Sequence, residues 1–262
     1  MRTAAPLPLD VRLMNGVATW LFVVAGLLVL GALLGWAARS PVFAIKGVSV
    51  TGDVKHYNAI TLRANVMPRL QGTFFTLDVT TAREVFETMP WVRQAIVRRD
   101  FPNRLKVQLQ EHQAVAFWGE DGTSSMVNSY GEVFEANAGE LDHDDLPRLS
   151  GPDGQSAQVL AMYQTLQPSL DPMDLTLEAL ELSPRGGWQA RLNTGTRVEL
   201  GSGGAPDLLA RMDRFVKTVT QVTARYQRTP EQLASVDLRH TDGYAIRLDG
   251  VTTLDSPDIK KQ

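Results

Sequence analysis

The sequence predicts an α+β protein with three parts: a single N-terminal transmembrane helix, a β-α-α-β-β unit, and a second β-rich domain with helices packed on an antiparallel sheet. Three observations carry that expectation. Residues 17–38 (VATWLFVVAGLLVLGALLGWAA) carry no charge, with Thr19 as the only clearly polar side chain. From residue 43 to 248, short runs of alternating apolar and polar side chains recur between clusters of Gly, Pro, Asn and Asp. Between those runs lie stretches whose apolar residues repeat at helical spacing.

The apolar run lies near the N-terminus. At about 1.5 Å per residue it makes a helix of roughly 33 Å, enough to cross a hydrocarbon core of about 30 Å. Trp20 and Trp36 sit near its ends, where amphipathic rings favour the headgroup layer. A cleaved signal peptide is the competing reading, but its apolar stretch is shorter, and Trp36-Ala37-Ala38-Arg39-Ser40 is a poor cleavage site. Gly31 and Gly35 give a small-xxx-small spacing, which is a weak signal because glycine is common in membrane helices. Arg2 and Arg12 precede the span and Arg39 and Lys46 follow it, so the positive-inside bias is slight. A short head before a first helix stays in the cytoplasm, which makes residues 1–16 a short cytoplasmic tail, 17–38 the membrane helix, and the rest of the chain external.

Composition narrows the function classes. The chain has 262 residues, 44% hydrophobic and 21% charged, with a net charge of −3. No global field points to nucleic acid. A local basic group, Arg93, Arg98, Arg99, Arg104 and Lys106, reads as a solvated strand face. With no cysteine in the chain, disulfides, zinc-thiolate sites, iron–sulfur clusters and cysteine nucleophiles are excluded.

The first soluble domain is expected over residues 42–112. Phe43–Thr51 is rich in strand formers and ends at Gly52-Asp53. Residues 58–67 make a short helix stopped by Pro68. Thr81-Ala82-Arg83-Glu84 matches a capping box, followed by Ala82, Val85, Phe86 and Met89 at helical spacing. Val92–Arg99 is a strand, Asp100–Asn103 a turn, and Leu105, Val107 and Leu109 alternate with Lys106, Gln108 and Gln110 in a half-buried strand.

The second domain is expected over 113–250. Val115–Trp118 is a strand. Met126-Val127-Asn128 and Glu132-Val133-Phe134 flank a hairpin turn at Ser129-Tyr130-Gly131. Val159, Leu160, Tyr163 and Leu166 mark a helix face, and strands follow near Thr176–Leu182, Trp188–Leu192 and Arg197–Leu200. A long helix begins at Asp207 with the core stripe Leu208, Met212, Phe215, Val219, Val222 and Tyr226. Val236 and Leu238 then lead through Arg239-His240-Thr241-Asp242-Gly243 to Tyr244, Ile246 and Leu248, which alternate with polar residues; Asp-Gly between such runs signals a hairpin. As the last strand, it is expected at a sheet edge, able to accept a strand from another chain. Residues 251–262 read as a flexible tail.

Motifs for chemistry are sparse. His56, His112, His143 and His240 show no metal-pair spacing. Leu141–Asp145 reads as a solvated acidic loop, and Gly201-Ser202-Gly203-Gly204 lacks the Lys-Ser/Thr of a phosphate loop. No GxSxG elbow occurs, and Glu178 and Glu181 are paired carboxylates without a legible cleft. No cofactor, metal, small-molecule substrate or nucleic acid is expected, and a binding module rather than an enzyme is the reading. The alternatives are a membrane-anchored periplasmic hydrolase and an outer-membrane assembly or secretion factor; the latter needs a long run of barrel strands that the sequence lacks.

Several segments together resemble a known family. They are the β-α-α-β-β order, Pro90-Trp91-Val92, the basic strand, Phe101-Pro102-Asn103-Arg104-Leu105, Glu111, Ala116-Phe117-Trp118, Val127-Asn128 with Gly131 and Val133-Phe134, and Leu146–Pro152. This wording is similar to the FtsQ/DivIB family of bacterial division proteins, with its POTRA domain over residues 42–112. One departure is Ala114, where the family commonly has proline, which should relax a bend between domains. The resemblance implies a division scaffold of the cell inner membrane, concentrated at the septum, linking early and late division proteins by periplasmic contacts. It implies that FtsB adds a strand to the C-terminal edge, in a complex that also contains FtsL. The matching positions are Arg239, His240, Asp242, Gly243, Tyr244, Ile246 and Leu248. Arg185, three residues before Trp188, matches an arginine expected to pair with a partner carboxylate. His240 stands where the family has an aromatic residue, giving a smaller, titratable ring. The POTRA surface is expected to dock other division proteins.

Overall fold

The structure, a computed structural model, describes residues 9–52, 54–57, 59–70, 72–141, 145–240, 242–248 and 250. The chain divides into two compact units, with the break after Glu111. The acidic loop at 142–144 and the tail at 251–262 lie outside the described residues.

In the first unit, helix α1 (Leu9–Ala38) contains the apolar span. Leu13–Ala38 has a mean hydropathy of 2.5 and none of it is buried, so the helix is long and apolar enough to cross a membrane. It begins well before the residue 17 start expected from the apolar run, with Asp10 in its first turn, where a carboxylate favours the positive end of the helix dipole. Pro41–Phe43 then form a 3-10 turn, so strand β1 (Gly47–Gly52) begins later than Phe43. Helices α2 (Ala59–Val66) and α3 (Val79–Glu87) follow, then strands β2 (Val92–Asp100) and β3 (Arg104–Glu111).

The sheet order is β1-β3-β2, with β3 parallel to β1 and antiparallel to β2. β3 is central because Leu105, Val107 and Leu109 face one side and are almost wholly buried. They pack with Leu62, Val66, Ala82 and Phe86 from the helices. The expected Thr81 cap is displaced: α3 starts at Val79, Asp78 accepts from the Thr80 amide at 2.8 Å, and the Thr81 hydroxyl also turns to Asp78 at 3.1 Å. An aspartate one turn earlier caps better than a threonine already inside the helix. The basic strand face is only partly solvated. Arg98, Arg99, Arg104 and Lys106 are exposed, though Arg99 also donates to the Leu77 carbonyl at 2.6 Å, and Arg93 is half-buried and donates to Gln110 at 3.3 Å.

The second unit runs β4 (Ala114–Trp118), β5 (Ser125–Asn128), β6 (Val133–Glu135), β7 (Arg148–Ser150), α4 (Ser156–Leu170), β8 (Leu177–Leu182), β9 (Gly187–Leu192), β10 (Arg197–Ser202), α5 (Ala205–Ala224), β11 (Leu233–Asp237) and β12 (Ala245–Leu248). The strands form one nine-stranded sheet in the order β12-β11-β10-β9-β8-β7-β4-β5-β6. It is mixed rather than purely antiparallel: β7 is parallel to both β4 and β8, and β10 is parallel to β11. Helices supply two of those crossovers, α4 between β7 and β8 and α5 between β10 and β11, while β4 reaches β7 through the β5–β6 hairpin. Strand β7, central in the sheet, is not expected from its sequence.

One sheet face is covered by α4 and α5, where Leu166, Leu170, Leu208, Met212, Phe215 and Val219 meet Leu180, Leu192, Val198, Leu200 and Val236. The α5 stripe departs from expectation at its end. Thr223 is buried with its hydroxyl on the Val219 carbonyl at 3.1 Å, while Tyr226, beyond the helix, is 57% exposed. Asp207 is the third helical residue and its carboxylate accepts the Gly204 amide at 3.2 Å.

The β5–β6 hairpin shows how a short motif is fixed. Asn128 is fully buried; its side-chain oxygen accepts the amides of Tyr130 and Glu132 at 2.9 and 3.0 Å. Gly131 turns with φ of +81°, and its carbonyl accepts the Ser156 hydroxyl at 2.6 Å, tying the turn to the start of α4. A Cβ on Gly131 would lie 2.6 Å from Ala157, so Gly131→Ala is expected to lower the unfolding midpoint through both clash and backbone strain. Phe215→Ala, a full truncation at a site with no exposed area, should cost about 3–5 kcal/mol in denaturant unfolding.

Candidate functional site

Strand β12 is the outermost strand of the nine, and β11 is its one neighbour. The pairing is antiparallel, with Asp237 opposite Ala245, Val236 opposite Ile246 and Ser235 opposite Arg247. Its other flank meets no strand among the described residues. An edge of this kind carries a row of backbone donors and acceptors that only water or another chain can satisfy.

The side chains expected to meet a partner divide into two sets. Leu248 is 7% exposed and belongs to the domain's core, and Ile246 and Tyr244 pack against it. The Tyr244 ring meets Phe215 edge to face at 5.6 Å, and its hydroxyl pairs with the Thr218 hydroxyl at 2.8 Å. These three residues therefore anchor the edge from inside, and Ala245 and Arg247 point to the opposite, solvent-facing side. What β12 leaves open is its backbone.

The loop before β12 is wider than the two-residue turn expected at Asp242-Gly243. β11 ends at Asp237 and β12 starts at Ala245. Gly243 does not take a positive φ, and a Cβ there would meet nothing within 4 Å. Two contacts pull the chain outward from the hairpin axis. The Leu238 amide donates to the Glu199 carbonyl of β10 at 2.8 Å. Arg239 grips Asp237 with two guanidinium nitrogens, at 2.9 and 2.5 Å, and with its backbone amide at 3.0 Å. The Arg239 side chain also lies over Gly201, where an added Cβ would stand 2.8 Å from its Cγ. His240 and Asp242 are exposed, and Thr241 lies outside the described residues.

Arg185 sits in the β8–β9 turn, closed by the Gly186 amide on the Ser183 carbonyl at 2.9 Å. Its side chain is exposed and has no hydrogen-bond or ion-pair partner among the described residues. Register places this turn at the same end of the sheet as the Arg239 loop, because Gly187 pairs with Ser202, Glu199 with Asp237, and Asp237 with Ala245. Across the sheet, however, β9 is three strand spacings from β12, about 14 Å. A strand added outside β12 would be about 19 Å from β9, beyond the reach of an arginine. One partner can meet both only if it continues around the end of the sheet after leaving the edge.

The helix-free face holds an open hollow of about 620 Å³ lined by Glu120, Asp121, Arg148, Glu181, Gln189, Arg191 and Arg197 among others. Three of the charged residues lining it are ion-paired: Arg148 with Asp121 at 2.6 Å, and Arg191 with Glu178 at 3.0 Å. No histidine lines it. His56 is held by Glu111 at 2.9 Å and stacked on Trp91, and His112 is stacked on Phe134. Among the described residues no group of three His, Asp or Glu is placed to hold a metal ion.

Asp237 is the residue of this site that the sequence does not single out, although its spacing two before Arg239 on an extended chain puts both side chains on one face. The hydrogen bond from the Arg239 guanidinium, reinforced by its charge, holds the Asp237 carboxyl down at about 2. A depressed carboxylate contributes stability above the ordinary range, near 3.9, and loses it as pH falls through the folded value. Titration of the Asp237 carboxyl carbon by NMR should thus show a midpoint near 2, and Arg239→Ala should return it toward ordinary values.

Comparison with known proteins bears on the same two units. Residues 43–112 match the model of the POTRA domain, FtsQ-type, and residues 116–239 match the C-terminal model of cell division protein FtsQ/DivIB. The cell division protein FtsQ of Thiomonas arsenitoxydans is 40% identical, over 100% of this chain and 95% of its own. That of Burkholderia pseudomallei is 40% identical over 97% of this chain and 99% of its own. That of Bordetella pertussis is 36% identical over 91% and 92%. With both units matched in order and relatives aligned along nearly their whole length, the chain belongs to the FtsQ/DivIB family of bacterial cell division proteins.

Proposed function

We propose that this chain is a non-catalytic, single-pass scaffold of the division machinery whose β12 edge takes a strand from FtsB, in a complex that also contains FtsL. The free flank of β12, on a strand anchored from inside by Tyr244, Ile246 and Leu248, carries this reading. A strand held rigid before binding loses little further conformational freedom on docking, so its ladder bonds contribute more of their energy to affinity. Inward side chains leave sequence selection to the incoming strand's own residues and to the loop beside the edge. Arg185, exposed and without a partner among the described residues, supplies a cation for a carboxylate on the part of FtsB that runs past the sheet end; such a charge sets orientation and on-rate more than affinity. In this reading α1 crosses the inner membrane with its N-terminus in the cytoplasm, the bulk of the chain is periplasmic and gathers at the septum, and the POTRA domain docks other division proteins, linking early and late components.

The experiment is co-purification of the full chain with the periplasmic part of FtsB, using Ile246→Pro and Arg247→Pro. Successive residues of an antiparallel strand direct their amides to opposite sides. One of the two variants therefore removes a donor from the outer flank and the other breaks the internal hairpin. The outer-flank variant should keep its circular dichroism spectrum and lose FtsB. Full retention of FtsB by a folded outer-flank variant would discard edge pairing, and no capture by the unaltered chain would discard FtsB as the partner. Arg185→Glu should slow association and reduce its dependence on salt while leaving the fold unchanged.

A further inference from the structure

We infer that the first unit carries an aromatic foot, formed by Phe43, Phe74, Phe75 and Phe101, that seats in the lipid interface of the membrane crossed by α1; the inference rests on α1 spanning that membrane. The four rings come from three separate segments: the turn after α1, the loop before α3 and the β2–β3 turn. They form a chain of edge-to-face contacts, Phe43 to Phe75 at 5.0 Å, Phe75 to Phe74 at 5.2 Å and Phe74 to Phe101 at 5.6 Å. None of them belongs to the core that α2, α3 and the sheet enclose. Phe75 is 51% exposed and Phe101 70%, and the neighbouring Val42 is 67% exposed. A contiguous apolar patch of this kind calls for a cover.

Its position identifies the cover. The Thr73 hydroxyl donates to the Ala38 carbonyl, the last residue of α1, at 2.6 Å. The Phe74 amide donates to the Phe43 carbonyl at 2.7 Å, and the Lys46 amide to the Asn103 carbonyl at 2.9 Å. Both ring-bearing loops are thus bonded to the stretch between the end of α1 and the start of β1, which follows the exposed Trp36. Aromatic rings at that depth meet the headgroup boundary, where they are most favourably placed. Arg39, Lys46 and Arg104, all exposed, flank the foot with positive charge that suits lipid phosphates. A bilayer is always present beside the end of α1, whereas a second copy or another protein would have to be brought there.

The chain has no cysteine, so one introduced thiol takes a fluorophore alone. The full chain is reconstituted in phosphatidylethanolamine–phosphatidylglycerol vesicles and labelled with an environment-sensitive dye at Leu28→Cys, Glu84→Cys or Phe101→Cys. Position 28 reports the spanning helix and position 84, exposed on α3, the water-facing reference. The expected result at 101 is a blue shift relative to 84, loss of iodide quenching and gain of quenching by nitroxide lipid. Adding Phe75→Ser should restore part of the iodide quenching with the circular dichroism spectrum unchanged. Iodide access at 101 equal to that at 84, with 28 still quenched by lipid, would overturn the foot while leaving the spanning helix intact. Failure of lipid quenching at 28 would remove the spanning helix and the foot with it. Shielding at 101 that fades as protein is diluted into excess lipid would assign the patch to a second copy and overturn the lipid reading.

Discussion

Burial of every second side chain along β12 is the constraint on which the C-terminal unit's surface depends. Tyr244, Ile246 and Leu248 commit the strand's inward face to its own domain, and β11 takes one side of its backbone. Among the described residues no strand closes the remaining flank, and the helices that cover this sheet lie on its face and not along its end. A row of amides and carbonyls in fixed register is the result. The same strand would be a liability if it were long and flat, but it has four residues, and its outward face carries Arg247. Shortness and charge both discourage indiscriminate pairing.

The N-terminal unit has a different balance. Its sheet has only three strands, and the middle one carries most of the burial, so the unit depends on the alternation in β3. The outer edge of β2 is partly closed by its own helix: the Glu87 carboxylate of α3 accepts the Ala95 amide at 3.1 Å. A donor satisfied by a side chain is withdrawn from strand addition. Among the described residues β12 has no such side-chain plug on its outer flank, whereas β2 does.

Much of this architecture was legible from pattern alone. The apolar span, the β-α-α-β-β order and the strands from β8 to β12 follow from periodicities that persist over five or more residues or are bounded by strong turn residues. Shorter or competing signals were not. Arg148–Ser150 is too brief to show a period, yet neighbours on both sides make it an interior strand of the sheet. Thr81-Ala82-Arg83-Glu84 fits a capping box on paper, but Asp78 stands one turn earlier and takes the helix start. At the end of α5 a polar Thr223 displaces Val222 from the core because its hydroxyl can bond within the helix. For the candidate edge, alternation identified the strand and its pairing with β11, and the spacing of Asp237 and Arg239 was there to be read; the contacts of Tyr244 with Phe215 and Thr218 of α5, and the width of the loop, held by Leu238 on β10, depend on neighbours remote in sequence that no local pattern can reveal.

The parallel pairing of β10 with β11 has a consequence for the order of assembly. β11 and β12 form a local hairpin, but that hairpin joins the sheet only after α5 has crossed over and packed, since β10 ends at Ser202 and β11 begins at Leu233. Closing such a long connection makes this among the slower steps of the unit. The open β12 edge is therefore a late product of folding: a chain still being synthesised, or one stalled with α5 undocked, has no finished edge. A partner that took up this edge would bind only a completed domain.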